Sequence, residues 1–177
     1  MRQHDWEGVL PAITTPFLDT LAVDHSALAT HVSWLADHGC RGIVALGSLG
    51  ESATLTFDEK ISILETCKRA LGDRLPVVAG IAGLSTTECV SLAKRAAAIG
   101  CDGLMVLPPF FDEPEKTRPY FKRLRDIRDR LANENAFYKG RGELSMGMSH
   151  DFEAAIEEGA TLVRVGTAIF GKRTYQG

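Results

Sequence analysis

The chain has 177 residues, and its 20 Lys and Arg against 23 Asp and Glu give a formal net charge of −3 at neutral pH. That length predicts a single domain spanning 1–177, and that charge balance argues against a protein held to nucleic acid by phosphate neutralisation, which needs a basic excess. Hydrophobic residues at 45% and charged residues at 24% exclude a disordered chain, and no apolar run reaches the roughly 18 residues of a membrane span.

The polar start, Met1–Glu7, reads as lacking a signal peptide. Cys40, Cys67, Cys89 and Cys101 form no CxxC pair and no zinc spacing. The expectation is reduced thiols, no metal and a cytoplasmic location.

Taken in chain order, candidate strands and helices alternate. The first strand is Gly8–Thr14, followed by a helix over Asp24–His38 and a strand over Gly42–Leu46. Helix Thr56–Leu71, strand Val77–Ala82, helix Ser85–Ile99 and strand Gly103–Leu107 follow. Helix Pro114–Asn133 leads through an irregular stretch, 133–142, to strand Glu143–Met146, helix Asp151–Glu158 and strand Leu162–Val165. Asp24, Thr56 and Ser85 stand at N-cap positions, and Thr56 with Glu59 and Ser85 with Glu88 have capping-box spacing. Leu28, Val32 and Leu35 form the stripe of a helix that covers a sheet. Tyr120, Phe121, Leu124, Ile127, Arg128 and Leu131 lie opposite a dense charged face, read as solvated.

Three segments repeat one design: a helix end, a glycine (Gly39, Gly100 or Gly159), a short turn and a brief apolar run. Glycine takes the left-handed conformation that closes a helix. The short, continuously apolar runs fit strands covered on both faces, as in a parallel sheet. The alternation therefore predicts an α/β protein with right-handed crossovers, closed as a barrel or open as a doubly wound sheet.

Residues 7–102 carry Gly8-Val-Leu-Pro-Ala-Ile-Thr-Thr-Pro-Phe17, Gly47-Ser-Leu-Gly-Glu51, Thr54-Leu-Thr56 with Glu59-Lys60, and Val77-Val-Ala-Gly-Ile81, in that order. This series resembles the dihydrodipicolinate synthase/N-acetylneuraminate lyase family of class I aldolases. Residues 103–177 carry Gly103-Leu-Met105, Pro119-Tyr-Phe121, Leu144-Ser-Met-Gly-Met-Ser149 with Asp151-Phe152, and Val163-Arg-Val-Gly-Thr-Ala-Ile-Phe-Gly171. This second set resembles the pyridoxal-phosphate homeostasis proteins, whose barrel is like the N-terminal domain of alanine racemase. Both resemblances imply TIM-barrel fragments, and together they imply a chimera joined near Cys101–Met105. The fold expected is α/β and TIM-barrel-derived, with about six βα units. Such a barrel closes incompletely, opens into a sheet or is completed by a second chain. An open edge strand invites pairing, so a homo-oligomer is expected.

The first resemblance implies a pyruvate-type keto acid condensed through a Schiff base. It places the lysine on the sixth strand of that family and a tyrosine on the fifth, and the carboxylate on a turn here made by Gly47, Ser48, Leu49 and Gly50. Leu49 stands where the family has a second hydroxyl, Phe110-Phe111 stand at its aromatic relay, and the only lysine near a late strand is Lys139. No Schiff-base lysine is found, so turnover is not expected. The backbone N–H groups of Gly47–Glu51 still suit a carboxylate, and a ligand-free glycine-rich turn is the alternative.

The second resemblance implies a phosphate site at Ser145, Gly147, Ser149, Arg164, Gly166 and Thr167. Small residues admit an anion to the backbone, hydroxyls donate, a helix N-terminus adds partial positive charge, and an arginine adds charge-assisted bonds. Pyridoxal phosphate would be held non-covalently, because strand Gly8–Thr14 has no lysine. Tight-turn glycines and a structural ion pair for Arg164 are the alternative. His150 stands beside that turn, while His25, His31 and His38, at gaps of six and seven, do not share one metal-binding face. Three functions stay open: an anion-binding chimera without its Schiff-base lysine, a pyruvate-dependent carbon–carbon lyase or aldolase, and a scaffold with no ligand. The partner expected is a small anion, phosphate or keto acid, with neither nucleic acid nor membrane.

Overall fold

A computed structural model describes residues 8–83, 85–106, 111–134 and 142–171. Leu107, Phe110, Lys139 and most of the irregular stretch 133–142 lie outside the described residues. Those up to 106 and those from 111 onward form two compact units.

In the first unit, helix α1 (His25–Asp37) begins where the Asp24 carboxylate accepts the Ala27 N–H at 2.9 Å. Its stripe of Leu28, Val32 and Leu35 is buried as the spacing predicts. Each such side chain contributes about 1.5–3 kcal/mol when fully removed from water. Gly39, at φ +86°, turns the chain out of α1. Strands β1 (Ile43–Ala45), β2 (Val77–Ile81) and β3 (Gly103–Val106) form a parallel sheet in the order β1-β2-β3. Its register sets Ile43 beside Val77 and Ala79 beside Leu104. The core gathers Ile43, Val77 and Ala79 with Leu28, Leu64 and Leu92.

Helices α2 (Phe57–Leu71) and α3 (Thr86–Ile99) lie between the strands in sequence. The capping box of α2 is complete, with the Thr56 hydroxyl accepting the Glu59 N–H and the Glu59 carboxylate accepting the Thr56 N–H at 2.8 Å. The box of α3 is half built. Ser85 accepts the Glu88 N–H at 3.1 Å, but the Glu88 carboxylate accepts from Lys60 Nζ instead, also at 3.1 Å. The expected strand Gly8–Thr14 is reduced to one parallel bridge, Ala12 to Val44. Around it, Ile13 N–H donates to Val44 O and Val44 N–H to Pro11 O. Pro11 has no N–H to extend the ladder.

In the second unit the expected helix Pro114–Asn133 divides into a 3₁₀ turn, Pro114–Thr117, and helix α4, Arg118–Asn133. Pro119 explains the break, because it cannot donate to a carbonyl one turn earlier and is tolerated only in a helix's first turn. Strand β4 (Ser145–Met148), helix α5 (Phe152–Glu157), strand β5 (Leu162–Arg164) and the short helix α6 (Thr167–Phe170) follow. β4 and β5 pair in parallel, with an irregularity between Ser145 and Met148. Phe121, Leu144, Met146, Ala154 and Ala155 make the core of this unit. Of the apolar face expected on α4, Phe121 is buried while Tyr120 and Ile127 are exposed. Its charged face is partly engaged. Arg118 reaches Glu115, Glu157 and Glu158, and Arg125 reaches Glu158 at 2.7 Å, tying α4 to α5.

Candidate functional site

The glycine-rich turn after β1 is built by an unusual approach of two strands. Leu46, at φ +61°, and Glu51, at φ +55°, bracket it in left-handed conformations that non-glycine residues rarely adopt. Leu46 is accommodated because Gly80 on β2 has no side chain. A Cβ there would collide with the Leu46 carbonyl oxygen and stand 2.7 Å from its carbonyl carbon. Ser48–Gly50 form a 3₁₀ turn entered from the extended Gly47. Within it, the N–H groups of Gly50 and Ser52 donate to Gly47 O, and that of Glu51 to Ser48 O. Among the described residues the Ser48 and Leu49 N–H groups have no acceptor, as expected for the start of a helical turn. Ser48 and Leu49 are exposed, whereas Gly47 and Gly50 are buried.

Two residues that sequence reasoning did not assign complete this site. Thr15 Oγ1 donates to Gly50 O at 2.7 Å and pins the turn to the first segment of the sheet. The Ser52 hydroxyl is buried and has no hydrogen-bond partner among the described residues, a costly state for a polar atom. Thr15 was visible in the motif Gly8–Phe17, but its partner lies 35 residues away. Ser52 carried no signal, since burial of a turn hydroxyl is a tertiary property.

The expected phosphate residues fall into two groups in the other unit, Ser149 with Gly166 past the ends of β4 and β5, and Arg164 with Ser145, the first residue of β4. Ser149 Oγ accepts the N–H groups of Gly166, at 2.8 Å, and Ala168, at 3.3 Å. Arg164 Nη1 donates to both Ser145 O and Ser145 Oγ, at 2.8 and 2.9 Å. Burial lowers the Arg164 pKa from its ordinary value, and the charge of Asp151 opposes this. Gly147, at φ +93°, serves packing, because a Cβ would stand 2.6 Å from that of Ala155. Gly166 leads into α6, and Thr167 opens that helix as an exposed residue. His150 Nε2 shares a hydrogen bond with Asp112 O at 2.9 Å, away from Ser149 Oγ's partners.

Other reactive groups are placed elsewhere. Burial pushes the Cys67 thiol up to about 12 and the Cys101 thiol up to about 11, so neither offers a thiolate at neutral pH. The lysines of α2 are engaged, Lys60 by Glu88 and Lys68 by Asp102 at 3.0 Å. A shallow groove of about 410 Å³ runs between α2 and α3, lined by Lys68, Arg69, Arg95 and Glu65 among others, and includes no residue of the 47–52 turn. No described helix is long and apolar enough to cross a membrane.

Set beside known proteins, the chain is 40% identical over 129 residues to the 4-hydroxy-tetrahydrodipicolinate synthase of Natronomonas pharaonis, covering 71% of this chain and 44% of that protein. In structure it is similar to a dihydrodipicolinate synthase from Aquifex aeolicus, with a TM-score of 0.58 and 32% identity over 68% of this chain and 42% of the other. The chain thus spans less than half the length of these relatives. It is also 58% identical over 73 residues to the pyridoxal phosphate homeostasis protein of Aquifex aeolicus, covering 41% of this chain and 31% of that protein. The α/β architecture is of the TIM-barrel type that such synthases share. Residues 5–129 match the dihydrodipicolinate synthetase family, and the chain belongs to that family.

Proposed function

We propose that the chain, as a member of a family of carbon–carbon synthases and lyases, holds a pyruvate-type 2-keto acid with its carboxylate on the 47–52 turn. The observation that carries this reading is the turn's donor set. Among the described residues the Ser48 and Leu49 N–H groups are unspent and the buried Ser52 hydroxyl has no partner, and the Ser48 side chain is exposed. A carboxylate offers about four lone-pair sites to such donors, and bonds to a charged acceptor are the stronger kind. Covalent activation of the keto acid needs a free amine. Lys60 and Lys68 are held in ion pairs rather than presented to the turn. We take the reading to be binding without imine formation. Titration of 15N-labelled protein with millimolar pyruvate is expected to shift the Ser48, Leu49 and Ser52 amides first. Ser48→Ala is expected to weaken binding by about tenfold, the worth of one charge-assisted hydrogen bond. Shifts confined to other residues would overturn the assignment.

The identity to a pyridoxal phosphate homeostasis protein favours a second reading for residues 142–171: a seat for the phosphate end of pyridoxal phosphate, held non-covalently. Bound, that cofactor supplies an aldehyde and an electron-withdrawing ring. The Gly166 and Ala168 N–H groups, the Thr167 hydroxyl and the Arg164 guanidinium suit its phosphate, which would take the place Ser149 Oγ now fills. The covalent end does not fit, since 142–171 contains no lysine. Together the two readings make the chain a chimera of two barrel fragments joined near residues 101–105. Loss of phosphate binding in Arg164→Ala supports this seat, and unchanged binding contradicts it.

A further inference from the structure

We propose that Met148 is an oxidation site whose sulfoxide withdraws the Arg164 guanidinium from the anion seat of residues 142–171. This switch builds on the phosphate reading of that seat. In a regular strand, residues two apart share a face. Met146 and Met148 break that rule on β4. Met146 is 3% exposed, in the core of its unit with Phe121 and Ala155, whereas Met148 is 47% exposed. The cause lies between them. Gly147 takes φ +93°, and the pairing of β4 with β5 slips between Ser145 and Met148. An irregularity of this kind re-aims the side chain beside it. Asp151 Oδ1 accepts the Met148 N–H at 2.7 Å and fixes the strand end in that direction.

The re-aimed thioether meets Arg164. The two residues are register partners across β4 and β5, and Arg164 Nε donates to Met148 Sδ at 3.5 Å. Arg164 Nη1 donates to Ser145 O and Oγ. All three acceptors are neutral, and the thioether is the weakest of them. A cation held this lightly at Nε turns readily to a phosphate, whose charge makes the stronger bond.

Oxidation reverses that preference. Hydrogen peroxide transfers one oxygen to Sδ: the O–O bond breaks, an S–O bond forms, the sulfur loses two electrons, and the second oxygen leaves as water. The sulfoxide oxygen is polar and negatively polarised, a far better acceptor for Arg164 Nε than the thioether. It holds the guanidinium and repels an approaching phosphate. Among the described methionines Met148 is the one a peroxide selects, because Met146 is buried and Met105 half-buried. Methionine sulfoxide reductase returns the thioether, so the switch is reversible.

Titration of the full chain with inorganic phosphate before and after mild peroxide treatment tests this, together with peptide mass mapping of the methionines. Met148 is expected to gain one oxygen before Met146 does. The phosphate dissociation constant is expected to rise about tenfold, the worth of one hydrogen bond to a charged group, and to fall back after reductase treatment. Met148→Leu, treated in the same way, is expected to keep the affinity it had before peroxide. Met148→Gln, with an amide oxygen in place of the sulfoxide, is expected to bind phosphate more weakly than wild type without any peroxide. Oxidised Met148 with unchanged phosphate affinity overturns the switch and leaves the seat standing. A peroxide-induced loss that Met148→Leu shares also overturns it, because the loss then comes from another residue. An untreated chain that binds no phosphate overturns the seat, and the switch with it.

Discussion

Replacing Gly80 by alanine tests how the sheet shapes the candidate site. The added Cβ would press on the Leu46 carbonyl, with its carbon at 2.7 Å and the Ala45 oxygen at 3.1 Å. All three obstructing atoms are backbone, so no side chain can swing away. Overpacking a core typically costs about 1–3 kcal/mol, and with only backbone to yield the upper end applies, about 3 kcal/mol. That is a large share of the about 5–15 kcal/mol that holds a typical domain folded. Relief requires Leu46, already at φ +61°, to move, and it leads directly into Gly47. Urea denaturation should therefore show a lowered midpoint, and the Ser48 and Leu49 amide resonances should shift in the folded protein. Gly47→Ala is the control. Its φ is −74° and its Cβ would meet only the flexible Met105 Cε at 3.9 Å, so a change below about 0.5 kcal/mol is expected. Equal stability of Gly80→Ala and wild type, with unmoved turn resonances, would refute the close-approach argument.

Glu88→Ala leaves the Lys60 ammonium, whose side chain is 5% exposed, without its partner. The expected cost is about 2–3 kcal/mol, below the full value for a buried pair because Glu88 is 33% exposed. Lys60→Met is expected to stay within about 1 kcal/mol of wild type, and chemical denaturation of both variants checks the contrast. The Cys67 thiol, raised to about 12 by burial, makes a pH prediction. A thiol whose folded pKa lies above the unfolded one near 9 leaves stability flat below pH 9. Stability then falls as pH climbs from 9 toward 12, because only the unfolded chain releases the proton. Denaturation midpoints at pH 8, 9.5 and 10.5 test the sign, and Cys67→Ala should reduce the slope, leaving the share of Cys101, raised to about 11. Alkylation at pH 8 should spare Cys67 and Cys101 in the folded chain and reach both in urea.

Local signals in the sequence were readable where the interaction itself is local. The caps at Asp24 and Thr56 and the left-handed Gly39, Gly100 and Gly159 formed as their spacing predicts. Ser85 capped its helix, but Glu88 was drawn away by Lys60, a residue 28 positions earlier. The first strand shortened because Pro11 cannot donate, and Pro119 split the expected helix in two. At the 47–52 turn the glycines were legible as a turn. The Thr15 pin, the orphaned Ser52 hydroxyl and the Leu46–Gly80 approach were not, since each depends on segments brought together only by folding. The Ser149 hydroxyl was expected to face an anion. It instead satisfies the Gly166 and Ala168 N–H groups, an economy that follows from the parallel pairing of β4 with β5.

The central claim is that a keto acid sits on the 47–52 turn by hydrogen bonding alone. Sodium borohydride added to the protein saturated with pyruvate, followed by intact mass measurement, tests it most directly when paired with the pyruvate titration. The account predicts an unmodified mass together with saturable shifts at Ser48 and Leu49. A stable added mass corresponding to a reduced pyruvate imine on any lysine would contradict it.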